Sequence, residues 1–182
     1  MNAVEDHSHL SAAAVNLVTA TFGFLLGAAS AGYFIHHPTI EFERPYGRSV
    51  IIIGLCLAAA HFFMVDERPL LSIGLASFAC GFQNALATHY RGMILRTTHV
   101  TGLLTDLGTN LGMSLRGYRI ARWKLLIPAL LVVSFFCGAL FGTVLIALLN
   151  LPALLILACL YITGGLGWSI HKHFFIQRNL KP

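Results

Sequence analysis

"LLIPALLVVSFFCGALFGTVLIALL", residues 125–149, runs for 25 positions without a charged side chain. As an α-helix it would be about 37 Å long, enough to cross the roughly 30 Å hydrocarbon core of a bilayer. The whole chain has the same character: of its 182 residues 57 % are hydrophobic and only 10 % charged, and its mean hydropathy is +0.75. A soluble surface does not tolerate such a composition. The fold class expected is an all-α integral membrane protein, organised as one membrane domain over residues 1–182.

Four more segments meet or approach the length of a span, at about 12–35, 49–65, 70–90 and 152–171. With residues 125–149 as E, these are A, B, C and F. "DERP" (Asp66 to Pro69) predicts a tight hairpin from B into C, and "LNLP" (Leu149 to Pro152) leaves almost no connection between E and F. The N-terminal "MNAVEDHSHLSAAAV" has neither the basic start nor the cleavage pattern of a signal peptide, so A is expected to remain as an anchor. Cys56, Cys80, Cys137 and Cys159 all lie in apolar runs, where cysteine packs as a small hydrophobe, and no disulfide is expected. The basic residues cluster in loops without the aromatic interleaving of a nucleic-acid groove, so no nucleic-acid partner is expected.

Between C and E lies "RTTHVTGLLTDLG" (Arg96 to Gly108), the core of a polar segment D at residues 97–115. Charge decides how D meets the membrane, because Lys and Arg are retained on the cytoplasmic side. If D does not cross and the N-terminus is outside, 11 cations lie inside and Arg68 alone outside; if D crosses, the better orientation leaves 8 inside and 4 outside. The first arrangement is favoured: five transmembrane helices, with D re-entrant or interfacial from the cytoplasmic face. The corresponding localisation is a bacterial inner membrane, N-terminus outside and C-terminus cytoplasmic.

On a helix Thr97, Thr101, Thr105 and Thr109 form one hydroxyl stripe, with Thr98 and Asp106 beside it and Leu103, Leu104, Leu107 and Leu111 opposite. Gly102, Gly108 and Gly112 loosen the helix or admit a second backbone. Asp106 is the sharpest residue, since a carboxylate at membrane depth costs several kcal/mol unless paired, protonated or hydrated. Neighbouring threonine hydroxyls and the Asn110 amide are candidate partners for it. Two readings stand side by side: an interfacial helix whose polar face touches headgroups, or a path for a solute or ion. His99, seven residues before Asp106, has the chemistry to titrate near neutral pH, although an isolated histidine more often serves as a hydrogen-bonding fixture.

Gln83 and Asn84 place two adjacent amides inside otherwise apolar C. They suit helix–helix hydrogen bonds, or a polar site shared with D if the chain turns back between Tyr90 and Arg96. The pairs His7/His9, His36/His37 and His171/His173 fall at segment ends and suit interfacial anchoring better than metal ligation. No nucleophile elbow, phosphate loop, HExxH or paired-carboxylate motif is present, so no enzymatic activity, cofactor or metal is expected.

"FLLGAASAG" (Phe24 to Gly32) in A echoes "FFCGALFG" (Phe135 to Gly142) in E at an offset of 111 residues. The echo suggests an incomplete internal repeat, 12–65 against 125–171, although small-residue packing motifs also recur by chance. Gly81 to Gly112 as a whole resembles the signature of the YoaK-like bacterial membrane family, catalogued as a domain of unknown function. Gly81, Gln83, Asn84 and Ala85 match its first element; Arg96 to His99 with Thr101 and Gly102, then Thr105 to Gly108, match the next. E and F also fit that family's layout. The resemblance implies an earlier, diverged motif of Met-Thr-Gly-Asn type that is missing here, either through truncation or through decay to something like Ser8 to Asn16.

These features lead to two functional expectations. The first is a small-solute or ion permease whose polar site comprises Gln83, Asn84, Thr98, His99, Thr101, Gly102, Thr105, Asp106 and Thr109. The second is a non-transporting scaffold or partner-binding subunit in which the same residues join helices. A homodimer through the small-residue faces of A or E is also expected, with Gly27, Ala28, Ala31 and Gly32 forming the ridge on A.

Overall fold

The computed structural model describes residues 3–34, 46–86, 89–90, 93–94 and 99–179. Helices α1 (Ala3–Phe34), α2 (Tyr46–Val65), α3 (Pro69–Leu86), α4 (Val100–Leu115), α5 (Trp123–Thr143) and α6 (Ala153–Asn179) account for nearly all of them. The last turn of α5 widens into a π-helical segment, Val144–Leu148, so that the span it belongs to runs from Trp123 to Leu148. Among the described residues five helices are long and apolar enough to cross a membrane, and α4, at 16 residues, is not one of them. Segment C is helical over Pro69–Leu86. Instead of its last turn the chain forms two short strands, β1 (His89–Tyr90) and β2 (Met93–Ile94), paired antiparallel with His89 opposite Ile94 and Tyr90 opposite Met93.

The helices form two compact units, residues 1–86 with 152–182 and residues 87–151. In the first, α1 packs on α3, α3 on α2, and α2 on α6. Its core is Ala31, Ile53, Leu57, Ala79, Phe82 and Ala158, a set in which small residues are as prominent as large ones. Lipid tails are as apolar as leucine, so helices in a membrane associate through close packing instead of through exclusion of water. Glycine provides that closeness. A methyl built on Gly23 would lie 2.6 Å from the Gly74 carbonyl oxygen, one on Gly27 would run into the Phe78 carbonyl, and one on Gly81 into the Phe24 carbonyl. The α2–α6 seam has the same construction: methyls on Gly47 and Gly54 would meet the carbonyls of Gly165 and Ala158 at 2.7 and 2.9 Å.

This arrangement corrects the expectation for the ridge on A. Gly27 and Ala31 are buried against α3 inside the protomer, so they are not free to form a dimer seam, while Gly32 faces open space. The α2–α3 turn is the tight hairpin expected. Glu67 takes a left-handed conformation at φ 55°, the Arg68 N–H donates to the Phe63 carbonyl at 2.9 Å, and Pro69 opens α3 where its missing N–H costs nothing. Asn150 takes the same left-handed conformation at φ 48°, a geometry asparagine tolerates better than most residues.

In the second unit α4 packs on α5. A Schellman motif ends α4: Gly117 adopts φ 89°, its N–H donates to the Ser114 carbonyl at 3.0 Å, and the Tyr118 N–H donates to the Met113 carbonyl at 3.1 Å. The glycines here stand open. Added methyl groups at Gly108, Gly112, Gly138 or Gly142 would meet nothing within 4 Å.

The two kinds of glycine should respond oppositely to alanine. Gly27→Ala and Gly81→Ala push a methyl into a backbone carbonyl that cannot swing aside, and each should lower stability by at least about 2 kcal/mol. Gly138→Ala should be neutral or stabilising by up to about 1 kcal/mol, because only helix propensity changes. Thermal unfolding of the three variants in a mild detergent checks the contrast.

Candidate functional site

The residues singled out in the sequence fall on two helices, one in each unit. Gln83 and Asn84 lie near the end of α3, where Gln83 is half-buried and Asn84, 7 % exposed, is one of two polar residues buried among those described. Asn84 sits between Phe82 and Ala85, which belong to or line the core of its unit. Thr98 lies outside the described residues; His99 to Thr109 are on α4 or at its start.

Of the hydroxyl stripe, Thr97 and Thr98 lie outside the described residues, and Thr101, Thr105 and Thr109 lie on α4. Thr101, Thr105, Asp106 and Thr109 are all exposed, Gly102 is half-buried, and Leu103 on the opposite side is 3 % exposed. Leu104 and Leu111 on that side are nevertheless exposed, so Leu103 alone marks the packed face, and the expected partners of Asp106 are employed elsewhere. The Asn110 amide donates to the backbone carbonyl of Asp106 at 2.7 Å, not to its carboxylate, and the Thr105 hydroxyl donates to the Thr101 carbonyl at 2.9 Å. Bonding back to the carbonyl one turn earlier is the shortest reach for these side chains. Thr21, Ser30, Thr143, Thr163 and Ser169 do the same within the spans. Among the described residues the Asp106 carboxylate has no ion-pair partner.

His99 is the N-cap of α4, and its carbonyl accepts the first helical bond, from the Leu103 N–H at 3.1 Å. Its side chain makes no capping bond. Instead the imidazole lies over the first turn, against the space a side chain at Gly102 would occupy: a methyl there would run into Cδ2 and come within 2.6 Å of Nε2. Gly102 thus has a local task, making room for the ring, that the helix-loosening argument did not foresee.

One feature was not singled out in the sequence. A groove of about 450 Å³ between α1 and α3 is lined by Ala20, Thr21, Phe24, Ala76, Ser77 and Cys80. Small residues at matching levels of both helices withdraw side-chain volume there; their co-occurrence in A and C was the available signal, invisible without knowing that the two helices pair. Among the described residues no three His, Cys, Asp or Glu side chains converge as a metal would require.

A chain of such spans, glycine-sealed and carrying a short polar helix, is a multi-pass α-helical membrane protein. Residues 1–166 match the family described as "Protein of unknown function (DUF1275)", and the chain belongs to that family. The match is wider than the 32 residues from Gly81 to Gly112 and takes in α1 and α2. No curated protein and no solved structure matches the chain.

The His99–Gly102 contact yields a separable test. The imidazole is the movable end of a side chain, so Gly102→Ala should displace it while leaving stability unchanged or raised by up to about 1 kcal/mol through helix propensity. NMR of the His99 ring should report the displacement, and thermal unfolding the stability. A fall of about 2 kcal/mol or more would mean the ring is pinned by its surroundings.

Proposed function

We propose that this protein is a small-solute or ion permease of a bacterial inner membrane, non-enzymatic, with the polar face of α4 as the surface that meets the solute. Asp106 carries the reading. It stands exposed on α4, in the same helix as Thr101, Thr105 and Thr109, while the Asn110 amide and the Thr105 hydroxyl donate to backbone carbonyls. A carboxylate within a membrane protein without a protein counter-charge calls for water or a cation. At 16 residues α4 is about 24 Å long, short of the roughly 30 Å hydrocarbon core, which suits a helix entered by water from one side. The distribution of cations, 11 against Arg68 alone, supports an outside N-terminus and a cytoplasmic C-terminus. The motif from Gly81 to Gly112 supports the narrower YoaK-like grouping within the family.

A second reading, the non-transporting scaffold, draws on one observation. Phe135-Phe136-Cys137-Gly138-Ala139 on α5 repeats the pattern that α1 uses to pack on α3, yet Gly138 and Gly142 meet nothing within 4 Å. A homodimer joined along that face would occupy it.

Osmotic swelling of proteoliposomes in sodium salts, potassium salts and glycerol separates the two. The permease reading expects flux of at least one of these above that of protein-free vesicles, reduced about tenfold or more in Asp106→Asn and less in Thr101→Val, with unfolding temperatures unchanged. Flux indistinguishable between wild type and Asp106→Asn would end the assignment of α4. Under the scaffold reading Gly138→Leu should instead convert a dimer to a folded monomer, as seen by light scattering in mild detergent.

A further inference from the structure

Charge is divided sharply along this chain. Residues 107–182 contain seven Lys and Arg and no Asp or Glu, and four of the seven fall within nine residues, "RGYRIARWK" from Arg116 to Lys124. Arg116, Arg119, Arg122 and Lys124 are all exposed, and among the described residues none of them forms an ion pair. Retention of cations on one side of a membrane accounts for where such a segment lies, but not for its fixed structure or its aromatic content.

The segment is held at both ends. The Schellman motif at Gly117 directs the chain out of α4, and the first turn of α5 fastens it at the other end, with the Lys124 N–H donating to the Ala121 carbonyl at 2.9 Å and the Leu126 N–H to the Arg122 carbonyl at 2.9 Å. Trp123, half-buried, opens the 26-residue span, the level at which an indole prefers the membrane–water boundary. The Lys124 ammonium lies 5.7 Å from the centre of its ring. Leu115 and Tyr118, 82 % and 61 % exposed, flank the cations with apolar surface. Cations at headgroup level interleaved with exposed apolar and aromatic side chains suit a lipid surface, since a purely aqueous anion would leave Leu115 and Tyr118 uncovered.

We propose that the strap from Arg116 to Lys124 binds anionic phospholipid headgroups and enriches those lipids around the α4–α5 unit. Arg119 and Arg122 contact headgroup phosphates, Trp123 and Tyr118 set the depth, and Leu115 dips toward the acyl chains. The proposal does not depend on whether α4 passes a solute.

A depth-selective quenching experiment tests it. The chain has two tryptophans, so Trp168→Phe leaves Trp123 as the sole reporter. This protein is placed in phosphatidylcholine vesicles containing a minor share of phosphatidylglycerol, with bromine near the headgroup end of the acyl chains of one lipid or the other. Each cation engaged at an anionic surface favours the charged lipid roughly fivefold, so brominated phosphatidylglycerol should quench Trp123 several-fold more strongly per mole than brominated phosphatidylcholine. Added salt should shrink the preference. Arg119→Gln with Arg122→Gln should bring the ratio toward one, while Arg119→Lys with Arg122→Lys should keep it; helicity and thermal unfolding should stay as in the parent, because both side chains are exposed. Equal quenching by the two lipids in the parent, or a preference that persists in the double glutamine variant, overturns the proposal. Inorganic phosphate that removes the preference more effectively than chloride of equal ionic strength also overturns it, by identifying a site for a soluble anion.

Discussion

Backbone-to-backbone contact through glycine is the constraint on which the larger unit rests. With no water to exclude between helices in lipid, the attraction available is dispersion at short range, and it falls off within an ångström of separation. Gly27 and Gly81 bring α1 and α3 together so closely that neither position has room for a single methyl, and Gly47, Gly54 and Gly165 do the same for α2 and α6. The spacing fits the task. Gly47 and Gly54, Gly74 and Gly81, and Ala158 and Gly165 are each seven residues apart, close to two full turns, so each pair stays on one face of its helix. On α1 the pattern is Gly23, Gly27 and Ala31, a repeat of four that follows one ridge.

The unit containing α4 and α5 is built on the opposite plan. Its glycines at 108, 112, 138 and 142 contact nothing, its polar stripe faces outward, and its cations crowd into the strap between the helices. The first unit closes its seams with glycines such as Gly27, Gly54 and Gly81, whereas among the described residues of the second only Gly102 has a close neighbour, the His99 ring.

Polar side chains within the spans illustrate how a fold can neutralise what looks like chemistry. Five hydroxyls there, and the Thr105 hydroxyl and Asn110 amide on α4, donate to a carbonyl one turn back, which satisfies them without any neighbouring helix. A threonine in a membrane helix is therefore weak evidence for a site. Asp106 differs because its carboxylate can only accept, while the Thr105 hydroxyl and the Asn110 amide donate to backbone carbonyls.

Much of the architecture was legible from residues alone because the membrane imposes length and periodicity directly on sequence. The uninterrupted run 125–149, the turn at Asp66 to Pro69 and the hydroxyl repeat of Thr101, Thr105 and Thr109 each follow from local rules: a hydrocarbon thickness, a left-handed residue before a proline, a repeat near four. What no local rule contains is the pairing of one helix with another. Gly27 and Gly138 occupy the same place in the same short motif, and sequence gave no reason to treat them differently; one is sealed against Phe78 and Phe82 and the other is open. Likewise Gly102 looked like a helix breaker until the His99 ring was found lying against it, and Asn110 looked like a partner for the Asp106 carboxylate until its amide was found on the Asp106 carbonyl. Spans and turns depend on each segment's own composition, whereas the use of a glycine or an amide depends on which atoms arrive opposite it, and that was decided only by the tertiary structure.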